Sequence, residues 1–169
     1  PVEKRMFGLL MEGEVKSAER VLHKSEKPFT AIIGGAKVSD KILIIENLLK
    51  KANDIIIGGG MAYTFIKAQG GKIGNSLCEE DRLDIARDLL KRAAEMGVGI
   101  HLPSDSVIAD KFDADAQTST APSNAIPDGW LGLDIGENAR GEFKNVIMQS
   151  KTILWNGLMG VFEMEAFQH

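Results

Sequence analysis

Two lysines four residues apart follow a glycine pair in Gly34-Gly35-Ala36-Lys37-Val38-Ser39-Asp40-Lys41, where the apolar run 29–33 ends. Glycines at a strand-to-helix turn let the backbone come close to a ligand. The first amides of a helix and its dipole attract anions. A helix read over 37–52 puts Lys37 and Lys41 one turn apart on about the same face. That chemistry suits phosphate. The rival reading is a tight turn followed by a solvated Lys-Asp-Lys face.

Two further strand-end turns carry comparable chemistry. Gly58-Gly59-Gly60 follows the run 54–57, and three consecutive glycines fit either a backbone-lined slot for a flat ring or close packing of helix on sheet. Asn156-Gly157-Leu158-Met159-Gly160-Val161-Phe162-Glu163 follows the run 152–155. There Asn156 is a candidate phosphate ligand and Glu163 a candidate acceptor for ribose hydroxyls, unless Glu163 merely opens a helix. Neither the Walker pattern nor G-x-G-x-x-G is present, because Lys37 is not preceded by glycine and Gly60 is followed by Met61-Ala62-Tyr63. A dinucleotide-dependent oxidoreductase is disfavoured on that ground. Cys78, His23 and His101 read as structural or exposed. Asp105, Asp110, Asp113 and Asp115 lack the glycine and terminal glutamate of an EF-hand and read as loop solvation, so no metal ligands are assigned.

The elements that must position these residues alternate. Strand-like runs at 29–33, 54–57, 98–102 and 152–155 are separated by amphipathic stretches at 3–24, 37–52, 60–70, 79–96 and 137–150. Ser76-Leu77-Cys78-Glu79 has the form of a capping box for the fourth of these, and Gly97 is its stop. The alternation predicts an α/β fold: a three-layer, doubly wound parallel sheet with helices on both faces, Rossmann-like. Residues 103–136, with three of the five prolines, break the rhythm. Some β structure is expected near 106–121. In a parallel sheet the turns would lie on one edge, where ligands of open α/β sheets bind.

The chain has 169 residues, 44% hydrophobic and 26% charged, and a net charge of −4. That charge gives no reason to expect nucleic acid or an anionic membrane as partner. No apolar stretch approaches the ~20 residues of a membrane span, and residues 1–5 lack the apolar region of a secretory signal, so the cytoplasm is the expected compartment. One cysteine excludes an intramolecular disulfide.

Taken together, the segments 34–41, 56–65, 73–77, 102–105, 109–112, 129–136 and 155–163 resemble the phosphoglycerate kinase family. The resemblance implies reversible phosphoryl transfer from 1,3-bisphosphoglycerate to ADP, with Mg2+ carried mainly by the nucleotide phosphates. It implies that Lys37 contacts the phosphoryl group in transit, as the catalytic residue, and that Lys41 contacts the nucleotide phosphates. The turns Gly34-Gly35-Ala36 and Gly58-Gly59-Gly60 would flank the nucleotide. Leu77, Gly132, Leu133 and Val161 would surround adenine, Asn156 and Leu158 would adjoin phosphate, and Glu163 the ribose. Residues 1–24 then form an interdomain or entry helix region, and 25–169 part of the carboxy-terminal nucleotide-binding domain, incomplete at its C-terminal end. The 3-phosphoglycerate site would belong to an amino-terminal domain outside this chain, so the 169 residues are expected to bind nucleotide without turnover. The family is usually monomeric. A non-catalytic nucleotide-binding or interaction module derived from that fold is the alternative. Leu158 and Glu137 stand where the family usually has proline. The loss at 158 is expected to loosen its turn by ~0.4–1 kcal/mol.

Overall fold

A computed structural model describes residues 25–168. The stretch read as an interdomain or entry helix region, 1–24, with its amphipathic part 3–24 and His23, lies outside the described residues. In chain order the first half comprises β1 (Phe29–Ile33), α1 (Ile42–Leu49), β2 (Asp54–Ile57), α2 (Met61–Ala68), β3 (Lys72–Ile73) and α3 (Leu83–Glu95). The second comprises β4 (Gly99–His101), β5 (Asp105–Ala109), β6 (Thr118–Pro122), β7 (Ala125–Ile126), β8 (Leu131–Ile135), α4 (Glu137–Met148) and β9 (Thr152–Asn156).

Four strands form a parallel sheet in the order β4-β2-β1-β9. Side chains alternate across a strand, and here both faces are covered. Phe29, Ala31, Ile33, Ile55 and Ile57 pack with Ile45, Leu48, Met61, Phe65, Ala86 and Leu89 of α1, α2 and α3. Ile32 and Ile56 point the other way, onto Ile135, Ala139 and Phe143. That double burial explains why β1 and β2 read as continuous apolar runs rather than alternating ones. The fold is the expected doubly wound α/β arrangement.

The excursion after β4 is a second, antiparallel sheet of order β6-β5-β8, with β3 and β7 making a short parallel pair beside it. Strand β8 had no apolar run long enough to announce it, since Gly132 and Asp134 interrupt the sequence. It matters because it returns the chain from the second sheet to α4 and forms a wall of the crevice described next.

Register aligns the strand ends of the main sheet. Ile33 pairs with Ile57 on one side and with Asn156 on the other. The turns that start at Gly34, Gly58 and Gly157 therefore leave the sheet side by side.

Candidate functional site

The three turns interlock through backbone. Gly34 N–H donates to Asn156 O at 2.9 Å, Met61 N–H to Gly35 O at 3.0 Å, and Gly59 N–H to Met159 O at 3.0 Å. A Cβ on Gly34 would fall 2.1 Å from Leu158 O. Gly59 has φ +68, and a Cβ there would fall 2.5 Å from Gly35 O. No side chain fits these approaches. Gly58 is packed against the Met159 thioether of the third turn, not under a helix, whereas Gly59 and Gly60 also face open space.

That space is a crevice of about 630 Å³ between the turns and β8. Of the residues singled out from sequence, Gly35, Ala36, Gly59, Gly60, Leu77, Gly132, Leu133, Leu158, Val161 and Glu163 line it. Gly34, Lys37, Lys41, Gly58 and Asn156 do not. The lining is mostly apolar with backbone edges, which suits a flat ring with few polar atoms. Sequence reasoning missed Tyr63, Asn75, Phe112 and Met159, which also line it. Tyr63 is buried, and its hydroxyl donates to Ser106 Oγ at 2.9 Å, which is 2.7 Å from Ser123 Oγ. Burial pushes the Tyr63 phenol up to about 12, so it remains a neutral donor. The hint in the sequence was a hydroxyl-bearing ring in the mostly apolar stretch Met61–Ala68.

The cationic end lies beside this crevice. Lys37 is exposed, one residue beyond the crevice-lining Ala36. Lys41 Nζ donates to Asn156 Oδ1 at 2.5 Å, so two strand-end turns 115 residues apart meet at one polar contact. The lysines are not on a helix, as read from sequence, because α1 begins only at Ile42. Val38 must first turn fully into the core, and Lys41 N–H closes that turn on Val38 O at 2.8 Å. Lys41 is the residue capping the helix start, not a member of its first turn.

The capping box also fails. Helix α3 starts at Leu83 after a short 3-10 turn, Glu80–Arg82, with no side-chain cap. Ser76 Oγ instead accepts from Gly132 N–H at 2.9 Å. Glu79 accepts from Ser39 N–H at 3.0 Å and from Ser39 Oγ at 2.6 Å. Partial burial pushes the Glu79 carboxyl up, but the Ser39 hydroxyl and the Ser39 and Val38 amides outweigh it and hold it below the ordinary glutamate range. Gly97 does end α3, with φ +69.

Of the four aspartates read as solvation, Asp105 is buried and caps α4, accepting from Ala139 N–H at 2.8 Å and Asn138 N–H at 3.2 Å. Helix α4 begins at Gly136-Glu137 and has no side chain of its own to do this. Asp110 and Asp113 each accept a nearby loop amide. His101 is half-buried and 2.7 Å from Asp54 Oδ1, and Cys78 packs beside the Tyr63 cluster. Among the described residues no three His, Cys, Asp or Glu side chains are grouped to hold a metal ion.

The fold and crevice define a doubly wound α/β domain with an open crevice outside the carboxyl ends of its strands, where ligands of such sheets bind. A model of the phosphoglycerate kinase family matches residues 1–169, and the chain belongs to that family. It is 57% identical over 163 residues to phosphoglycerate kinase of Porphyromonas gingivalis, covering 96% of this chain and 39% of that protein. The cytosolic phosphoglycerate kinase of Nicotiana tabacum is 50% identical over 160 residues, 95% of this chain and 40% of that one. The structure of phosphoglycerate kinase from Coxiella burnetii superimposes with a TM-score of 0.91 at 42% identity, covering 96% of this chain and 42% of that one. The chain therefore spans about two-fifths of the length of these relatives.

Proposed function

We propose that this chain is the ADP- and ATP-binding part of a phosphoglycerate kinase acting in reversible phosphoryl transfer between 1,3-bisphosphoglycerate and ADP. The observation that carries the proposal is the convergence of three strand-end turns on one apolar crevice with two lysines beside it. In this reading the base lies in the crevice against Leu77, Gly132, Leu133 and Val161, between the turns 34–36 and 58–60. Glu163 takes the ribose, and Asn156 with the Leu158 turn adjoins the phosphates. Lys41 binds the nucleotide phosphates and must release the Asn156 oxygen, or share it, to do so. Lys37 meets the transferring group.

Such a reaction needs alignment and positive charge more than it needs a base. A lysine about 4 Å from a phosphate oxygen contributes roughly 4 kcal/mol at an effective dielectric near 20. The residues beside the crevice are cationic and amide in character and suit phosphate oxygens rather than a bare cation. Mg2+ bound to the nucleotide phosphates would neutralise part of their charge. The phosphoglycerate partner would be held by polypeptide outside this chain, in the cytoplasm as for the tobacco relative named cytosolic. Among the described residues no helix is long and apolar enough to cross a membrane.

Calorimetric titration with Mg-ADP tests the reading. Saturable binding is expected, weakened about tenfold or more by Lys37→Ala or Lys41→Ala. Absence of saturable binding to the wild-type chain would end it. The fraction of the relatives' length favours binding without turnover in the isolated chain, and sustained product formation in a coupled assay would overturn that part alone.

A further inference from the structure

The segment from Gly74 to Glu79 touches both halves of the site. Its Ser76 hydroxyl accepts from Gly132 N–H, in the crevice wall. Its Leu77 lines the crevice, and a Cβ on Gly60 would fall 2.8 Å from the Leu77 side chain. Three residues after Ser76, Glu79 N–H donates to Thr64 Oγ1 at 3.1 Å, and Thr64 is buried in α2. The Glu79 carboxylate then reaches Ser39, between the two lysines, and takes both its amide and its hydroxyl. With its amide on α2 and its two oxygens on Ser39, Glu79 is fixed at both ends. A bidentate acceptor orients a backbone segment far better than a single bond would.

We propose that Glu79 is a positioning residue for phosphate binding: through Ser39 it fixes the segment 37–41 relative to the crevice, so that the lysines stand where the phosphates of a bound nucleotide arrive. This rests on the nucleotide reading above. A carboxylate bonded to Ser39, which stands between the two lysines in the chain, would by charge alone compete with phosphate for them. Its oxygens are bonded to Ser39, and Lys41 is bonded to Asn156, so the geometry makes Glu79 a tether rather than a counter-ion.

The test separates base from phosphates by comparing adenosine with Mg-ADP on the full chain, by calorimetry, with thermal midpoints measured alongside. For Glu79→Ala the ADP affinity is expected to fall about tenfold while adenosine affinity stays within about twofold. Glu79→Gln, which keeps shape and one acceptor and is the milder substitution, should fall in between. Ser39→Ala should lower the ADP preference, Ser39→Thr should restore it, and Ser39→Ala should add little on top of Glu79→Ala. Amide exchange in 36–41 should accelerate in Glu79→Gln. An ADP preference that survives Glu79→Ala, or an equal loss for adenosine and ADP, would overturn the positioning role while leaving the nucleotide reading intact. A wild-type chain that binds neither ligand, or binds both equally, would instead sink the phosphate reading and this proposal with it.

Discussion

The two ends of the site are built in opposite ways. The crevice end is made by packing: Gly132 admits the Tyr63 ring so closely that a Cβ would lie 1.9 Å from its hydroxyl oxygen, and Tyr63 is in turn tied to Ser106 and Ser123. The lysine end is made by hydrogen bonds between side chains at the surface, with Lys37 exposed and Lys41 half-exposed. A packed wall resists change of shape, whereas a hydrogen-bonded rim can exchange one partner for another. Under the proposed nucleotide reading, a base that needs a fixed slot and phosphates that arrive with their own charge would call for this division.

The contrast breaks most visibly at Gly132. Gly132→Ala forces Tyr63 out of its place, 2.3 Å from its ring carbon as well as 1.9 Å from its oxygen. Overpacking of this kind destabilises by about 3 kcal/mol, which lowers the midpoint of a domain this size by roughly 6–12 °C. Adenosine and ADP binding should both be lost. Calorimetric melting with parallel titrations checks it, and a variant that melts within a degree of wild type would show that the wall yields.

Salt sharpens the same comparison. Exposed charges are screened over about 10 Å at 0.1 M and about 3 Å at 1 M. The affinity for ADP should therefore fall several-fold between those concentrations, while that for adenosine changes little. Parallel slopes for the two ligands would mean that the lysines do not read the phosphates.

How much of this was legible before the structure follows the same divide. The strands 29–33 and 54–57 were readable to the residue because both their faces are buried and their sequences are apolar apart from Thr30 and the leading Asp54. The edge strand was read as 98–102 but pairs only over Gly99–His101. Part of the crevice was legible through Gly35, Gly59 and Gly60, which sit directly after strands, while Leu77, Gly132, Leu133 and Val161 came only from the family resemblance. What escaped were contacts between residues distant in sequence. Glu79 and Ser39 are 40 positions apart, and Asp105 caps a helix 34 positions away. Local patterns mis-assigned both, giving Glu79 to a capping box and Asp105 to solvent. The helix start was misplaced by five residues for a related reason. Periodicity shows which residues are apolar, but not that Val38 must dip into the core before the helix can begin.

Acid tests the hydrogen-bonded end alone. The Glu79 carboxyl is held below its ordinary value in the folded chain. A depressed carboxyl stabilises the fold at pH values above its unfolded pKa, about 4.3 for glutamate. That contribution is lost as pH falls through the folded value. The stability gap between wild type and Glu79→Gln should thus be full at about pH 6 and close progressively below about pH 4.3. Urea melts across that range measure it, and a gap that widens in acid would reverse the assignment.

The smallest expected effect is at Leu158, where the two ends meet. This residue lines the crevice, and its carbonyl presses on Gly34 at the foot of the lysine loop. Its amide donates no hydrogen bond among the described residues, so proline there removes no bond and restricts the unfolded chain. Leu158→Pro should stabilise the fold by about 0.4–1 kcal/mol. If the turn is a hinge between wall and rim, ADP affinity should rise about twofold while adenosine affinity stays constant. Denaturant melts and paired titrations decide it. A gain in stability with both affinities unchanged would confine the turn's looseness to the unfolded state and leave the rim's mobility to the lysine loop itself.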